Sequence, residues 1–393
     1  MERETIFGRQ LVSSGELSSA LQLVKHSIGN SATIAEHGCV KLKFGIDELE
    51  VFANDYRSKT RVVIMGKTLE GYASGEIWLG PVFINFIGLL EEQPIEILLI
   101  KKSSDIKENY SSYLKVITTE SHYEFLSPIG WSELKDEGGA VGKTEVVCTL
   151  PTVELLEGLH FVLPALASDK DETVGVKASI CLNVSKLKYI ITTTDGLKIS
   201  RYANKHESTE ATNGEYLMDQ KAVKLISAFL KRTRYEFVKI MVTDNSFIRI
   251  SGEKEEIFIR LFSDKFPATE NFFKEENNLE VVAEINAKHL TATLKRMQLM
   301  VDRMPKCLLE FDETGLKISN TAEVNTAEEH VELNAFKGTA LGVNLNIKHL
   351  LECIPAMNCV EFVKFKMNAV KTYVILESDN EASKKCLFVK YNQ

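Results

Sequence analysis

Between residues 190 and 202 the chain reads IITTTDGLKISRY, with β-branched residues on both sides of an Asp195-Gly196 step. Val, Ile, Thr and Tyr favour a pleated, half-buried strand, and Asp-Gly is a common dipeptide of tight turns. The pattern therefore predicts strand, turn, strand. Comparable stretches lie upstream, ELEVFANDYRSKTRVV at 48–63, and downstream, GLKISNTAEVNTAEEHVEL at 315–333. Three such units predict a repeated architecture.

The rest of the hydrophobic pattern supports that reading. After a strand-like start, residues 14–28 have helical spacing, with Leu17, Leu21 and Val24 on one face and Ser13 or Ser14 as N-cap. Strands are predicted at 40–44, 48–53 and 61–65, a helix opening on Pro81 at 81–90, and strands at 95–101 and 113–119. A loop rich in Gly and charge, 134–143, marks a first boundary. The pattern restarts with a strand at 146–149, a helix at 152–166, and strands at 177–184 and 188–194. A polar loop at 206–214 leads to a helix at 220–232 and strands at 236–242, 246–251 and 257–261. The segment SDKFPATEN, 263–271, marks the second boundary. The third block has a strand at 280–285, a helix at 287–301, strands at 307–311, 315–320 and 330–334, and a helix at 347–356. Strands at 361–367, 372–377 and 386–390 follow. The first helices align at Glu16, Thr152 and Lys288, 136 residues apart each time. A period of domain size means tandem copies of one α+β domain, two helices on antiparallel sheet, and not a solenoid. Domains are expected at 1–142, 143–268 and 269–393.

Composition narrows the class. With 393 residues, 44% hydrophobic and 26% charged, the chain has the make-up of an ordinary globular protein large enough for several cores. No apolar run reaches signal-peptide length at the N-terminus, and none approaches the roughly 20 residues of a membrane span. Cys39, Cys148, Cys181, Cys307, Cys353, Cys359 and Cys386 are odd in number and never spaced CxxC. That argues against a disulfide framework or structural zinc and for a reducing, cytoplasmic setting.

Catalytic chemistry has little to stand on. There is no GxxxxGK[ST], GxSxG or HExxH motif, and the eight histidines are dispersed. Asp195 is read as a turn former, and His289 and His349 as solvated residues at helix starts. No catalytic residue, metal or cofactor is expected.

Charge placement is more telling. A net charge of −8 argues by itself against nucleic acid, but local faces decide binding. The helix at 220–232 puts Lys221, Lys224, Lys231 and Arg232 on one face, opposite Val223, Ile226, Phe229 and Leu230, at about 100° per residue. In the third block, Lys288, Lys295, Arg296 and Arg303 lie away from Leu290, Leu294, Met297 and Val301. Basic residues often merely solvate a helix face. Two acid-poor helices at related positions in an acidic chain point instead to a polyanion met through its phosphates, without sequence preference.

Three tandem two-helix domains with basic helices resemble the bacterial DNA sliding clamp, the β subunit of the replicative polymerase, in a divergent form. Residues 194–200, TDGLKIS, are similar to that family's TDGHRLA; Phe266-Pro267 matches part of its FPDY. Residues 315–320 followed by Glu328-Glu329 resemble its third-domain strand pair. Gly342-Val343-Asn344 before Leu350-Leu351 resembles its GFN-and-helix segment, and residues 386–391 stand where its YVVMPM tail would be. The resemblance implies a homodimeric, head-to-tail ring around double-stranded DNA. Helices would line the lumen, and the replicative polymerase and clamp loader would be held through short hydrophobic peptides.

It further implies a peptide groove containing Thr194, Gly196, Leu197, Lys198, Ile199, Pro267, Phe272, Leu387, Val389 and Tyr391, the last three two apart and so on one strand face. DNA contacts would come from Lys25, Lys170, Lys177, Lys221, Lys224, Lys231, Arg232, Lys288, Lys295, Arg296, Arg303 and Lys306. Leu299 would be a subunit contact. Departures are clear: Leu197 replaces the family's His, Lys198 its Arg, and 268–271 an acidic-aromatic-basic motif. The tail reads Val389-Lys390-Tyr391 in place of Met-Pro-Met. An altered peptide preference and a less plastic pocket are expected. Basic charge is sparse in the first block, and the helix at 152–166 carries Glu154 and Glu157. A clamp-like peptide-binding hub or decoy that does not encircle DNA is the alternative; an enzyme on the same repeated scaffold is the less favoured one.

Overall fold

A computed structural model describes residues 3–29, 34–73, 75–103, 110–129, 143–167, 179–206, 208, 211–243, 246–301, 305–320, 325–380 and 383–391. The first block contains β1 (Arg3–Ser13), α1 (Ser14–Val24), β2 (Val40–Phe44), β3 (Glu48–Asp55), β4 (Ser58–Ala73), β5 (Gly75–Leu79), α2 (Pro81–Ile87), β6 (Pro94–Ser103), β7 (Tyr110–Ile117) and β8 (His122–Leu126). The second contains β9 (Thr144–Pro151), α3 (Thr152–Val162), β10 (Ser179–Val184), β11 (Lys188–Thr194), β12 (Lys198–Lys205), β13 (Gly214–Asp219), α4 (Gln220–Arg232), β14 (Phe237–Thr243), β15 (Phe247–Ser251) and β16 (Glu255–Arg260). The third opens with α5 (Glu270–Lys274) and β17 (Val281–Asn286), followed by α6 (Ala287–Gln298), β18 (Lys306–Asp312), β19 (Gly315–Ser319), β20 (Glu328–Val331) and β21 (Ala335–Lys337). It closes with β22 (Leu341–Asn346), α7 (Ile347–Met357), β23 (Phe362–Met367), β24 (Tyr373–Ser378) and β25 (Ser383–Val389).

The three blocks share one order: strand, helix, four strands, helix, three strands, with β21 and α5 added in the third. The α+β architecture expected from the pattern is present. The three stretches singled out in the sequence are β3–β4, β11–β12 and β19–β20, the second and third of the four central strands each time. Each turn is held by an Asp or Asn oxygen. Asp55 Oδ1 accepts from the Ser58 amide (2.8 Å) and hydroxyl (2.9 Å), Asp195 Oδ1 from the Leu197 (2.8 Å) and Lys198 (2.9 Å) amides, and Asn320 Oδ1 from the Ala327 amide (2.6 Å). Short polar side chains compete well for turn amides, which is why these positions punctuate β-rich runs.

The described residues form two compact units, 1–152 with 221–261 and 153–220 with 262–393, so each takes a share of the middle block. The first unit holds a twelve-stranded sheet along β8-β7-β6-β1-β4-β16-β15-β14-β9, with β2, β3 and β5 branching from it. The buried Gln10 on β1 donates to the Gly45 (2.6 Å) and Glu48 (3.0 Å) carbonyls, tying this strand to the β2–β3 turn. The second unit holds a nine-stranded sheet, β13-β10-β11-β12-β25-β24-β23-β17-β21, and a four-stranded one, β20-β19-β18-β22.

Helices stop where the sequence stops supporting them. Ser13 caps α1 by accepting from the Glu16 amide, and Asn286 and Asn346 cap α6 and α7 in the same way. The chain tightens into 3-10 turns at Lys25–Ser27 and at Leu163–Ala165, where Pro164 lacks the amide an α-helix needs. The helices predicted at 14–28, 81–90, 152–166 and 287–301 are therefore shorter than their apolar pattern. β5, β8, β13, β21, β22 and α5 were not predicted. β8, exposed at four of its five residues, carries no inward alternation to read. The loop at 134–143 lies outside the described residues except for Lys143.

Candidate peptide groove and nucleic-acid surface

In the second unit the β11–β12 turn projects Leu197. Gly196 sits there at φ +94°, a region that L side chains avoid, and its amide donates to Thr194 Oγ1 (3.0 Å). Thr194 Oγ1 in turn donates to the Lys198 carbonyl (2.9 Å). β12 pairs with β25, placing Ile199 opposite Leu387, and β25 pairs with β24, placing Leu387 opposite Ile375 and Val389 opposite Tyr373. Cross-strand partners share a sheet face, so these side chains form one apolar floor. Ile199, Tyr373, Ile375 and Leu387 are joined in it by Phe273 and Leu279, which follow the second boundary. Arg201 holds that segment down: its Nε donates to Glu270 Oε1 (2.6 Å), its Nη2 to Oε2 (3.1 Å), and its guanidinium lies 5.4 Å from the Phe273 ring.

Above the floor, Leu197 is 51% exposed, Phe272 43%, Tyr391 39% and Val389 38%. Four part-exposed apolar side chains in the same unit as a dry floor form an apolar surface of the kind that takes peptide side chains. The Val389 amide donates to the Leu197 carbonyl (3.0 Å), the Tyr391 amide to the Asn344 carbonyl (3.0 Å), and Phe272 meets Tyr373 edge-on at 5.4 Å. Pro267 is exposed. Thr194, Lys198, Ile199 and Leu387 are buried. They support the surface from below.

β25 is a central strand covered on both faces, with Lys384, Lys385, Cys386, Leu387 and Phe388 all buried, and Leu387 and Val389 lie on one of those faces, as their spacing implies. His349 is a correction. It is half-buried, its Nε2 stands 3.3 Å from Asn346 Nδ2, and burial first, then Lys198, pushes its pKa down while Asp195 and Glu352 oppose. Lys198, in place of the family's Arg, reaches Glu352 on α7 and lies 3.8 Å from Asp195 Oδ2. Asn346 also donates to the Tyr391 hydroxyl (3.2 Å), so the cap of α7 positions the end of the tail.

The candidate DNA contacts fall into groups. In the first unit Lys25, Lys221 and Lys224 converge on His26, whose pKa is lowered by burial and then by Lys221, Lys224 and Lys25 in that order. Lys221 pairs with the buried Asp55 carboxylate, while Lys25 and Lys224 are exposed. Lys231 is exposed; Arg232 is bound to Glu255 (2.8 Å) and to the Ser19 hydroxyl of α1. Arg232, Arg234 and Lys254 wall a cleft of about 730 Å³ that also presents Glu16, Glu92 and Glu255, so it has no net preference for anions. In the second unit Lys288 and Lys295 are exposed on α6, opposite the buried Leu290, Leu294 and Met297. Arg296 is turned to Glu329 of β20 (2.7 Å from Nε), and Lys306 is half-buried at the start of β18. Leu299, at the C-cap of α6, is 81% exposed. Lys170, Lys177 and Arg303 lie outside the described residues.

Three features escaped the sequence reading: the anchoring of Lys221 by Asp55, that of Lys198 by Glu352, and the place of Tyr373 and Ile375 in the floor. Only the strand register brings the last two beside Val389 and Leu387. Among the described residues no cluster of His, Cys, Asp and Glu is arranged to hold a metal ion, and no helix is long and apolar enough to cross a membrane.

The third block carries a recognisable family pattern: residues 275–390 match the family described as DNA polymerase III beta subunit, C-terminal domain. The match covers the third block alone. The fold of the whole chain agrees. It is similar to the DNA polymerase III beta subunit of Thermotoga maritima at 12% identity and a TM-score of 0.83, over 98% of this chain and 99% of that one. It is similar to the DNA polymerase sliding clamp of Bacillus subtilis at 15% identity and 0.83, over 98% and 100%. The beta subunit from Pseudomonas aeruginosa aligns at 16% identity and 0.81, again over 98% and 100%. The resemblance read from the succession of weak motifs is borne out, and the identities are those of a divergent relative. The chain has the three-domain beta-clamp fold.

Proposed function

We propose that this chain is the subunit of a ring-shaped sliding clamp, with domains 1–142, 143–268 and 269–393. Two copies encircle duplex DNA and tether a polymerase and other partners to it; the protein acts as a binding scaffold without catalysis of its own. The observation that carries the reading is a junction used twice. The third central strand of the first block, β4, pairs antiparallel with the last strand of the second, β16. The third central strand of the second block, β12, pairs in the same sense with the last strand of the third, β25. Even the flanking bonds repeat: Arg260 N–H to Arg57 O (2.8 Å) in one, Val389 N–H to Leu197 O (3.0 Å) in the other.

The next pair in this series is β20 with β8. Among the described residues each stands at the end of its sheet with one edge unpaired. Open edges invite pairing, and a second copy supplies both missing partners at once, β8 for β20 and β20 for β8, which closes a two-fold assembly. Leu299 adjoins β20 through the neighbouring Arg296–Glu329 pair. Phe86 and Tyr123, packed at 4.4 Å beside β8, are the apolar surface such a contact needs.

In this arrangement Lys25, Lys224, Lys231, Lys288 and Lys295 face the DNA, with Lys221 held by Asp55 beside them. Exposed lysines on helices offer loose, water-tolerant phosphate contacts that hold a duplex without fixing its register. The surface around Leu197, Phe272, Val389 and Tyr391 takes the hydrophobic peptides of the polymerase and the clamp loader. The test is retention on DNA. Protein loaded by a compatible clamp loader onto nicked circular duplex is expected to stay through gel filtration in high salt and to leave when the circle is cut. Release from intact circles at the same rate as from linear DNA would contradict encirclement.

A further inference from the structure

The two junctions share a backbone and differ in chemistry. Register assigns the equivalences: Lys59 stands where Ile199 does, Phe258 where Leu387 does, Arg260 where Val389 does, Phe247 where Tyr373 does, and Arg249 where Ile375 does. The apolar floor of the second unit thus has a counterpart in the first unit built of alternating cations and rings. Arg249 lies over Phe258 (5.5 Å), Lys59 over Phe247 (5.9 Å), and in the adjoining turn Arg57 over the exposed Tyr56 (5.7 Å). Arg61 and Arg249 are held by carboxylates. Glu50 binds Arg61 (2.8 Å), and Glu256 binds both Arg61 (3.4 Å) and Arg249 (2.6 Å). Among the described residues neither Lys59 nor Arg260 has a carboxylate within ion-pair reach, and Arg260 is exposed.

We propose that this face of the first unit, across β4, β16 and β15, is a second docking surface, and that its occupant is an extended acidic peptide of a partner protein. The choice of a peptide rests on the proposed groove of the second unit, whose strand geometry this face repeats. Charge selects the sequence: where the groove sets Val389 above a floor containing Ile199, Lys59 and Arg260 present cations to carboxylates. Side chains on one face of an extended peptide recur every two residues, about 7 Å apart, so carboxylates at alternate positions match cations carried on neighbouring strands. Single-stranded nucleic acid fits less well. Stacking needs open ring faces, and here the faces of Tyr56, Phe247 and Phe258 already carry a guanidinium or an ammonium.

The test uses the full-length protein and two fluorescent peptides: an eight-residue peptide with Glu or Asp at alternate positions, and an apolar Leu/Phe peptide. Affinity is read by anisotropy at low and physiological salt. Lys59→Glu with Arg260→Glu is expected to weaken the acidic peptide at least tenfold and leave the apolar one unchanged. Leu197→Asp with Val389→Asp is expected to do the reverse, so loss of one site is distinguishable from loss of the other. Lys59→Gln with Arg260→Gln guards against misfolding and is expected to weaken the acidic peptide less. Equal acidic-peptide affinity in the wild type and both cation variants would overturn the proposal. So would tighter binding of an oligothymidylate of similar length at the same residues.

Discussion

Lys384 shows what single residues do here. Its side chain is wholly buried, and the ammonium donates to Glu157 Oε1 (2.7 Å) on α3 and to the Met357 carbonyl (2.8 Å) at the end of α7. Nothing in the sequence marks it, because a lysine in an exposed strand and one in a central strand look alike. Lys384→Met keeps the stem but removes the charged bond to Glu157 and leaves the Met357 carbonyl to Asn380 Nδ2 (3.0 Å) alone, and a loss of about 2 kcal/mol in urea unfolding is expected; an unchanged midpoint would contradict it. His26 titrates in a definite direction. Its folded pKa lies below the ordinary value of 6.5, through burial and three lysines. As pH falls below about 6.5 the unfolded chain therefore protonates first, and stability that is full above that value is lost. The melting temperature is expected to drop between pH 7 and pH 5.5, less steeply in His26→Gln; identical profiles would contradict the buried position. Lys25 and Lys224 were legible as cations from the sequence. Their convergence on His26 was not, since it depends on packing between α4 and the turn after α1.

At the scale of elements the helices were the most legible. The amphipathic run at 220–232 is α4 at both ends, because its lysines and buried apolar residues alternate at helical spacing without interruption. Strands were legible where one face is wet, as in β3, β18 and β23. They were misread where both faces are covered. β25 is the instructive case: a strand was expected at 386–390, but it begins at Ser383, with Lys384 and Lys385 buried in it. Cutting the chain before Leu387 would therefore strip a paired central strand, and point changes on the rim are the cleaner probe. Leu197→Asp with Val389→Asp is expected to weaken apolar peptide binding at least tenfold while the melting temperature moves by no more than a few degrees. Retained affinity would place the peptide elsewhere. The departures at Leu197 and Lys198 remain part of this surface: Lys198, buried and tied to Glu352, shapes it from beneath, and Leu197 supplies exposed apolar area in place of an imidazole.

For the whole molecule, the threefold repeat was the most informative signal, because the spacing of the first helices survives divergence that erases local motifs. Pairing between blocks was invisible in the sequence, since register between strands about 190 residues apart leaves no local trace. It is this pairing, used twice and left open at β20 and β8, that supports the ring. Lys224→Glu with Lys295→Glu, four cations in a two-copy ring, is expected to shorten retention on circular DNA and to lower the salt slope of binding by up to about 4, leaving subunit association intact. Unchanged retention would remove the proposed lumen. Association itself is the central claim, and native mass by light scattering over a protein dilution series tests it most directly. A mass of two chains that persists on dilution, and falls to one chain in Leu299→Asp, is the expected result. A mass of one chain for the unaltered protein at every concentration would contradict the ring.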